Sequence, residues 1–137
     1  MKTRVLDSWA VLEWISGRQP ATRRVAALLA ESEAGTAKLF MSAINIGEVY
    51  YFLHKHHSEK LAESWRQSSQ TLPAIIHVPG MDDIWDAVLL KGSYPIAYAD
   101  AFAAALAVKH NCPLVTGDPE LRSIQGLELD WIERKPA

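Results

Sequence analysis

The sequence predicts an α/β layer sandwich, with a central, mainly parallel sheet flanked by helices, in a single domain over residues 1–137. Three observations predict it. Short β-rich runs alternate with helical patterns along the whole chain, which implies right-handed crossovers between parallel strands. No internal repeat, low-complexity tract or linker breaks the alternation. A chain of 137 residues is also large enough to bury one core without disulfide or metal staples.

The elements follow in order. "TRVL" is a brief apolar run ending at Asp7, and "SWAVLEWIS" then shows helical spacing at Trp9, Leu12 and Ile15. "PATRRVAALLAESEAG" opens on Pro20, sets Val25, Leu28 and Leu29 on one face and stops at Gly35. "KLFMS" is a second strand, and Ser42 can cap the helix "AINIGEVYYFLHKHH". "SEKLAESWRQSSQTL" is an amphipathic helix ended by Pro73, and "AIIHV" is a third strand. "MDDIWDAVLLKG" carries Ile84, Val88 and Leu89, with acids early and Lys91 and Gly92 late. An alanine-rich helix around Asp100, the strand "PLVT", a short turn of helix at "PELRSI" and a last strand "LDWIE" complete the chain.

Composition excludes several classes. A hydrophobic share of 49% and a charged share of 22% describe an ordinary globule. The lone Cys112 rules out a disulfide framework and suits a reducing cytosol; Asn111 and Pro113 beside it offer no base, so it reads as a small core residue. No apolar run has the length of a membrane span, and "MKTRVLDSWAVLEW" meets acids too early for a signal peptide. The net charge of -2 supplies no global basic footprint, so any nucleic-acid contact must be local.

The informative residues are acids. Most need no special role: Glu31, Glu33, Glu59 and Glu63 fall on polar helix faces, and Asp82, Asp83 and Asp86 start a helix, where the macrodipole favours them. Asp7, Glu48, Asp100 and Asp118 differ. Glu48 lies about six residues past its cap, with Tyr51 and Phe52 rather than cations one turn on, and Gly47 beside it suggests close approach to the backbone. Asp100 interrupts an otherwise apolar run from Ala99 to Val108. Each has a plain local reading, since Asp7 and Asp118 both stand where helix caps stand. Collectively they say more. Asp7 and Asp118 follow strands at their C-terminal ends, where an open parallel sheet forms its crevice, and the Glu48 and Asp100 helices can bring their early turns to the same edge. Carboxylates at ~4 Å repel by about 4 kcal/mol per pair at an effective dielectric near 20. A cation resolves the conflict, and an all-oxygen donor set selects Mg²⁺ or Mn²⁺ over zinc.

Asp7-Ser8 after the first strand, Asn45-x-x-Glu48 on a helix, "YADAFAAALA" around Asp100 and "LVTGDPEL" around Thr116 and Asp118 resemble the motifs of PIN-domain ribonucleases, above all the VapC-type toxins of bacterial toxin–antitoxin pairs. The resemblance runs from Arg4 to about Ile132, with the motifs in the family's order. It implies a PIN-like three-layer sandwich and a metal-dependent endoribonuclease that cleaves single-stranded or looped RNA. It further implies a homodimer and an antitoxin whose tail enters the groove. By the same resemblance Asp7, Glu48, Asp100 and Asp118 are the metal-site acids, Asp7 and Asp100 directly and Glu48 and Asp118 through water. Ser8, Asn45 and Thr116 support them. Ala97 departs from the pattern, since relatives often carry a polar residue there. Arg18, Arg23, Arg24, Lys91 and Arg122 are candidate rim cations for RNA.

Two rivals share the strand-end acid. A phosphotransfer domain would want a second acid near Asp7, where Ser8 and Trp9 stand instead, and a lysine in a matching strand-end motif. A non-catalytic binding module would have no reason to keep four unpaired carboxylates. The "HKHH" run at His54–His57 lacks the partners of a tetrahedral metal site and suits a helix C-terminus. The tryptophans Trp9, Trp14, Trp65, Trp85 and Trp131 read as core or interface residues.

Overall fold

A computed structural model describes residues 1–134. The strands are β1 (Lys2–Leu6), β2 (Ala37–Ser42), β3 (Ile75–His77), β4 (Leu114–Thr116) and β5 (Leu129–Trp131). The helices are α1 (Ser8–Ile15), α2 (Ala21–Glu33), α3 (Ala43–His56), α4 (Glu59–Ser68), α5 (Met81–Ser93) and α6 (Tyr98–Lys109), with 3-10 turns at Ser69–Thr71 and Pro119–Ser123. Every expected strand is present, in the order β3-β2-β1-β4-β5, and all the pairings are parallel. The sandwich predicted from the alternating pattern is therefore the fold observed.

This order places the site. From central β1 the chain winds outward to β2 and β3, then returns to lay β4 on the other side of β1 and continues to β5. The direction of winding reverses between β1 and β4, and at such a switch the loops leaving neighbouring strands part to open a crevice. Asp7 leaves β1 and Asp118 follows β4 at that crevice.

Strand alternation builds two cores. Leu6, Leu39, Met41 and Val115 face one side, where they meet Val11, Val25, Val49, Leu53 and Trp65 from the helices α1 to α4. Val5, Phe40 and Leu114 face the other, against Ala101, Ala103, Ala104 and Leu106 of α6. Neighbouring strand residues thus serve opposite layers, as a sheet covered on both faces requires. Small side chains let α6 lie flat on the sheet, and seven of its residues from Ala101 to Ala107 are buried in succession. Cys112 is buried in this second core, as the lack of a neighbouring base implied.

Local details depart from expectation at three points. Helix α4 stops at Ser68 and passes into the 3-10 turn, so it ends before Pro73 exerts its effect. Asp83 is not a solvated first-turn charge. It accepts from the Gly80 N–H (2.9 Å), pairs with His77 (2.8 Å) and binds Lys109 (3.0 Å), and these contacts hold its carboxyl well below the usual range. The Lys109 bridge joins the end of α6 to the start of α5, so the two helices run antiparallel. Gly47, read as a point of close approach, faces open space. The crowded glycine is Gly117, where a Cβ would strike the Trp9 ring and the Ile132 carbonyl.

Gly117 joins β4 to the turn that carries Asp118, so crowding there bears on stability and site alike. Gly117→Ala is expected to lower stability by ~1–3 kcal/mol in denaturant titration, because one obstacle is backbone and cannot rotate away. Gly47→Ala, on an exposed helix position, is expected to raise it by ~0.5–1 kcal/mol. Equal effects at the two positions would contradict this packing.

Candidate metal centre

Four chain segments bring acids to the crevice. Asp7 is fully buried at the end of β1 and caps α1, its Oδ1 accepting from the Ala10 N–H at 2.8 Å. The expected cap is therefore real, yet it uses one oxygen. Asp7 Oδ2 is buried and makes no well-formed hydrogen bond among the described residues, the Thr116 hydroxyl being near enough only to ease its charge. A buried carboxylate oxygen without a donor costs several kcal/mol in the charged form.

Asp118 repeats the arrangement beyond β4. Its Oδ1 accepts from the Glu120 N–H at 3.0 Å, and its own N–H donates to Thr116 Oγ1 at 3.0 Å. Thr116, the last residue of β4, thus sets the backbone from which Asp118 projects. Asp100 sits in the first turn of α6 and is 8% exposed. Carboxylate oxygens of Asp100, Asp118 and Glu120 lie within 4.8 Å of one another.

Asn45 holds the helices in register around these acids. Its Nδ2 donates to Ser8 Oγ (2.9 Å) at the start of α1 and to the Ala99 carbonyl (3.2 Å) in α6. The Ser8 hydroxyl lies 3.4 Å from the Asn45 carbonyl, closing the link between α1 and α3. Ser8, Asn45 and Thr116 therefore each have a structural task at the site. Asn45 Oδ1, like Asp7 Oδ2, is buried without a partner among the described residues. One turn on from Asn45, Glu48 is partly exposed and accepts from the Tyr51 hydroxyl at a long 3.4 Å.

Electrostatics show that the five acids share one field. Burial pushes the Asp7 carboxyl up to about 8; the Thr116 hydroxyl and the Ala10 N–H pull the other way, and Asp100 and Asp118 add to the rise. Burial likewise pushes Asp100 up to about 7, aided by Asp118, Glu48 and Glu120 and opposed by the Ala97 N–H. Asp7 and Glu48 stand outside the tight trio but within its reach. The donor chemistry suits a hard divalent cation, because the convergent atoms are all oxygens and Asp7, within their electrostatic reach, carries an orphaned buried carboxylate oxygen. Ala97 is the N-cap of α6 and makes no side-chain cap, so the polar group missing from the motif is missing structurally too.

Sequence reasoning missed Glu120. In "GDPEL" it read as part of a helix start, and the usable signal was a second acid two residues after a strand-end Asp. The rim cations separate into two groups. Arg18 pairs with buried Glu13 at 3.7 Å, Arg24 binds Asp130 and the Trp131 carbonyl, and Arg122 lies over the Trp131 ring and 3.7 Å from Glu133. These three are engaged within the fold. Arg23 and Lys91 are exposed without an ion pair among the described residues, Lys91 in the last turn of α5, beside the start of α6.

The raised carboxyl of Asp7 sets a sign for pH dependence. Below about pH 4 the acid is protonated in folded and unfolded chains alike and costs nothing. As pH rises toward about 8 the unfolded chain releases this proton first, so the metal-free fold loses stability. Asp7→Asn keeps a cap acceptor and removes the titration. In chelator at pH 8 it is expected to be more stable than wild type, by on the order of a few kcal/mol, with the gap closing by pH 4. Parallel stability curves for the two proteins would contradict the buried, unpartnered carboxylate.

The sequence model of the PIN domain matches residues 4–127. No curated protein matches the chain. Among solved structures, a chain of the Rickettsia felis VapBC2 complex, bound to a promoter DNA fragment, superposes with a TM-score of 0.71 at 17% identity, covering 96% of this chain and 99% of the other. Mycobacterium tuberculosis VapC20, a sarcin-ricin loop cleaving toxin, gives 0.71 at 13% identity, covering 97% and 99%. A toxin–antitoxin complex from Klebsiella pneumoniae gives 0.66 at 22% identity, covering 90% and 94%. With its winding order, its switch-point acids and a family match over most of its length, the chain belongs to the PIN domain family.

Proposed function

We propose that residues 1–137 form one PIN domain that acts in the cytosol as a divalent-metal-dependent endoribonuclease, the toxin of a toxin–antitoxin pair. The observation that carries this reading is the buried Oδ2 of Asp7, which makes no well-formed hydrogen bond among the described residues and lies within electrostatic reach of a trio of carboxylates in a PIN-family chain. VapC20, a structural neighbour over 97% of the chain, is a sarcin-ricin loop cleaving toxin, which supports the substrate class.

Asp100, Asp118 and Glu120, with Asp7 and Glu48 within electrostatic reach, are the groups that would hold Mg²⁺ or Mn²⁺. When bound, such a cation polarises a phosphate oxygen and lowers the pKa of a water for in-line attack. The chain's own residues supply the geometry. Thr116 fixes the Asp118 backbone, Asn45 fixes the spacing of α1, α3 and α6, and the Asp7 cap fixes its carboxylate while leaving one oxygen over. Bare, the five acids repel a phosphodiester, so RNA enters only when their charge is offset. Of the five candidate rim cations, Arg23 and Lys91 are the two left without an ion pair among the described residues to meet its backbone.

Neighbours that are VapBC complexes support an antitoxin partner. A homodimer is also part of the reading. Met81, Trp85 and Leu89 recur every fourth residue on α5 and are 59%, 60% and 70% exposed, a stripe suited to a second copy. Among the described residues no helix is long and apolar enough to cross a membrane.

Asp100→Asn is expected to lower RNA cleavage by at least ~100-fold in a discontinuous assay with Mn²⁺ while the fold is kept, and Glu120→Gln to weaken metal affinity by ~10–100-fold. Cleavage by Asp100→Asn at the wild-type rate, or by wild type in chelator, would remove the metal-dependent reading, and no cleavage of any RNA by wild type with Mn²⁺ would remove the nuclease. Separately, Trp85→Glu should shift sedimentation from dimer to monomer, and an unchanged dimer would exclude this stripe.

A further inference from the structure

Helix α3 presents three sides. Asn45, Val49 and Leu53 are buried. Ile46 and Tyr50 turn toward α4, where the Ile46 carbonyl accepts from Trp65 Nε1 (2.9 Å) and the Tyr50 hydroxyl donates to Glu63 (2.6 Å). The third side is uncovered: Glu48, Tyr51, Phe52, Lys55 and His56 recur at three- and four-residue intervals, with Tyr51 57% and Phe52 36% exposed. Phe52 packs on the His56 ring at 4.5 Å between centroids, so the aromatic surface continues toward the helix end.

The stripe begins in the acidic site. Tyr51 donates to Glu48 at 3.4 Å, so its ring adjoins an acid of the candidate site. Charge changes sign along the stripe, from Glu48 to Lys55, a separation of roughly 10 Å along the axis. Lys55 has no ion pair among the described residues, whereas Arg18, Arg24 and Arg122 are held inside the fold.

We infer that this face of α3 is the track for unpaired nucleotides of the RNA beside the scissile phosphate, with bases stacking on Tyr51 and Phe52 and Lys55 meeting a backbone phosphate. The inference rests on the nuclease reading and adds to it the residues that select single strands. Exposed rings accept the faces of bases that are not stacked in a duplex, and they do so with little regard to sequence. An apolar patch contiguous with a phosphate-handling site, and cationic at its far end, matches such a strand in both chemistry and order. Stacking also supplies affinity that the acids and the sparse free cations do not.

The test uses the full chain with Mn²⁺ and single-stranded oligouridylate. Anisotropy reads binding and cleavage reads kinetics. Tyr51→Ala and Phe52→Ala should each weaken binding and raise KM by roughly 5- to 150-fold with kcat little changed, while Tyr51→Phe stays near wild type. An oligomer with abasic sugars should bind weakly and respond to neither substitution. Wild-type binding by Tyr51→Ala and Phe52→Ala overturns the track, as does a shift from dimer to monomer, or a loss of antitoxin binding, with RNA affinity unchanged. The two readings fail separately: oligouridylate bound through Tyr51 and Phe52, with neither it nor total cellular RNA cut in Mn²⁺, would sink the nuclease and leave the track standing.

Discussion

Negative charge held out of water at one edge of a parallel sheet is the constraint on which this structure turns. Asp7 and Asp100 are buried, and Asp118, Glu48 and Glu120 crowd the same mouth. Two carboxylates at ~4 Å repel by about 4 kcal/mol at an effective dielectric near 20, and desolvation adds to that. A fold optimised for stability alone would not gather them. Burial first, and repulsion between the acids second, raise the carboxyls of Asp7 and Asp100 to about 8 and about 7, so protonation relieves the conflict in the bare protein. A divalent cation relieves it without giving up the charge.

The rest of the architecture holds that edge in place. The winding reversal between β1 and β4 opens the crevice, Asn45 ties three helices around it, and Gly117 lets the Trp9 ring and the Ile132 carbonyl close over the β4 exit. Asp7 and Asp118 each spend one oxygen capping the segment that follows. Cap and ligand are thus compatible roles: the cap fixes the carboxylate's direction, and a carboxylate has acceptors to spare. At Asp7 the spare oxygen is the one with no partner.

Much of this was legible in the sequence because its causes are local. The five strands and six helices follow from periodicity and punctuation, and the Ser42 cap forms as its position implied, accepting from the Ile44 N–H at 3.2 Å. Glu48 and Asp100 stood out because no cation lay within a turn of them, and Asp7 and Asp118 because each follows a strand at its C-terminal end. What escaped notice depends on partners distant in sequence. Arg24 reads as a free surface cation until Asp130, 106 residues away, comes alongside. Asp83 reads as a first-turn charge until Lys109 arrives from α6. Gly47 and Gly117 exchange significance because crowding is a tertiary property. Glu120 was hidden by a valid local pattern, the Asp-Pro-Glu start of a helical turn, which explains its position without revealing the trio it completes.

The central claim is that the acids share an ion. The most direct measurement is anomalous diffraction from crystals soaked in Mn²⁺ near neutral pH. The account predicts a peak ligated by Asp100 and Asp118 with Asp7 Oδ2 in its coordination sphere or one water away. A saturated crystal with no peak at that edge, or with manganese bound only to acids elsewhere on the surface, would contradict it.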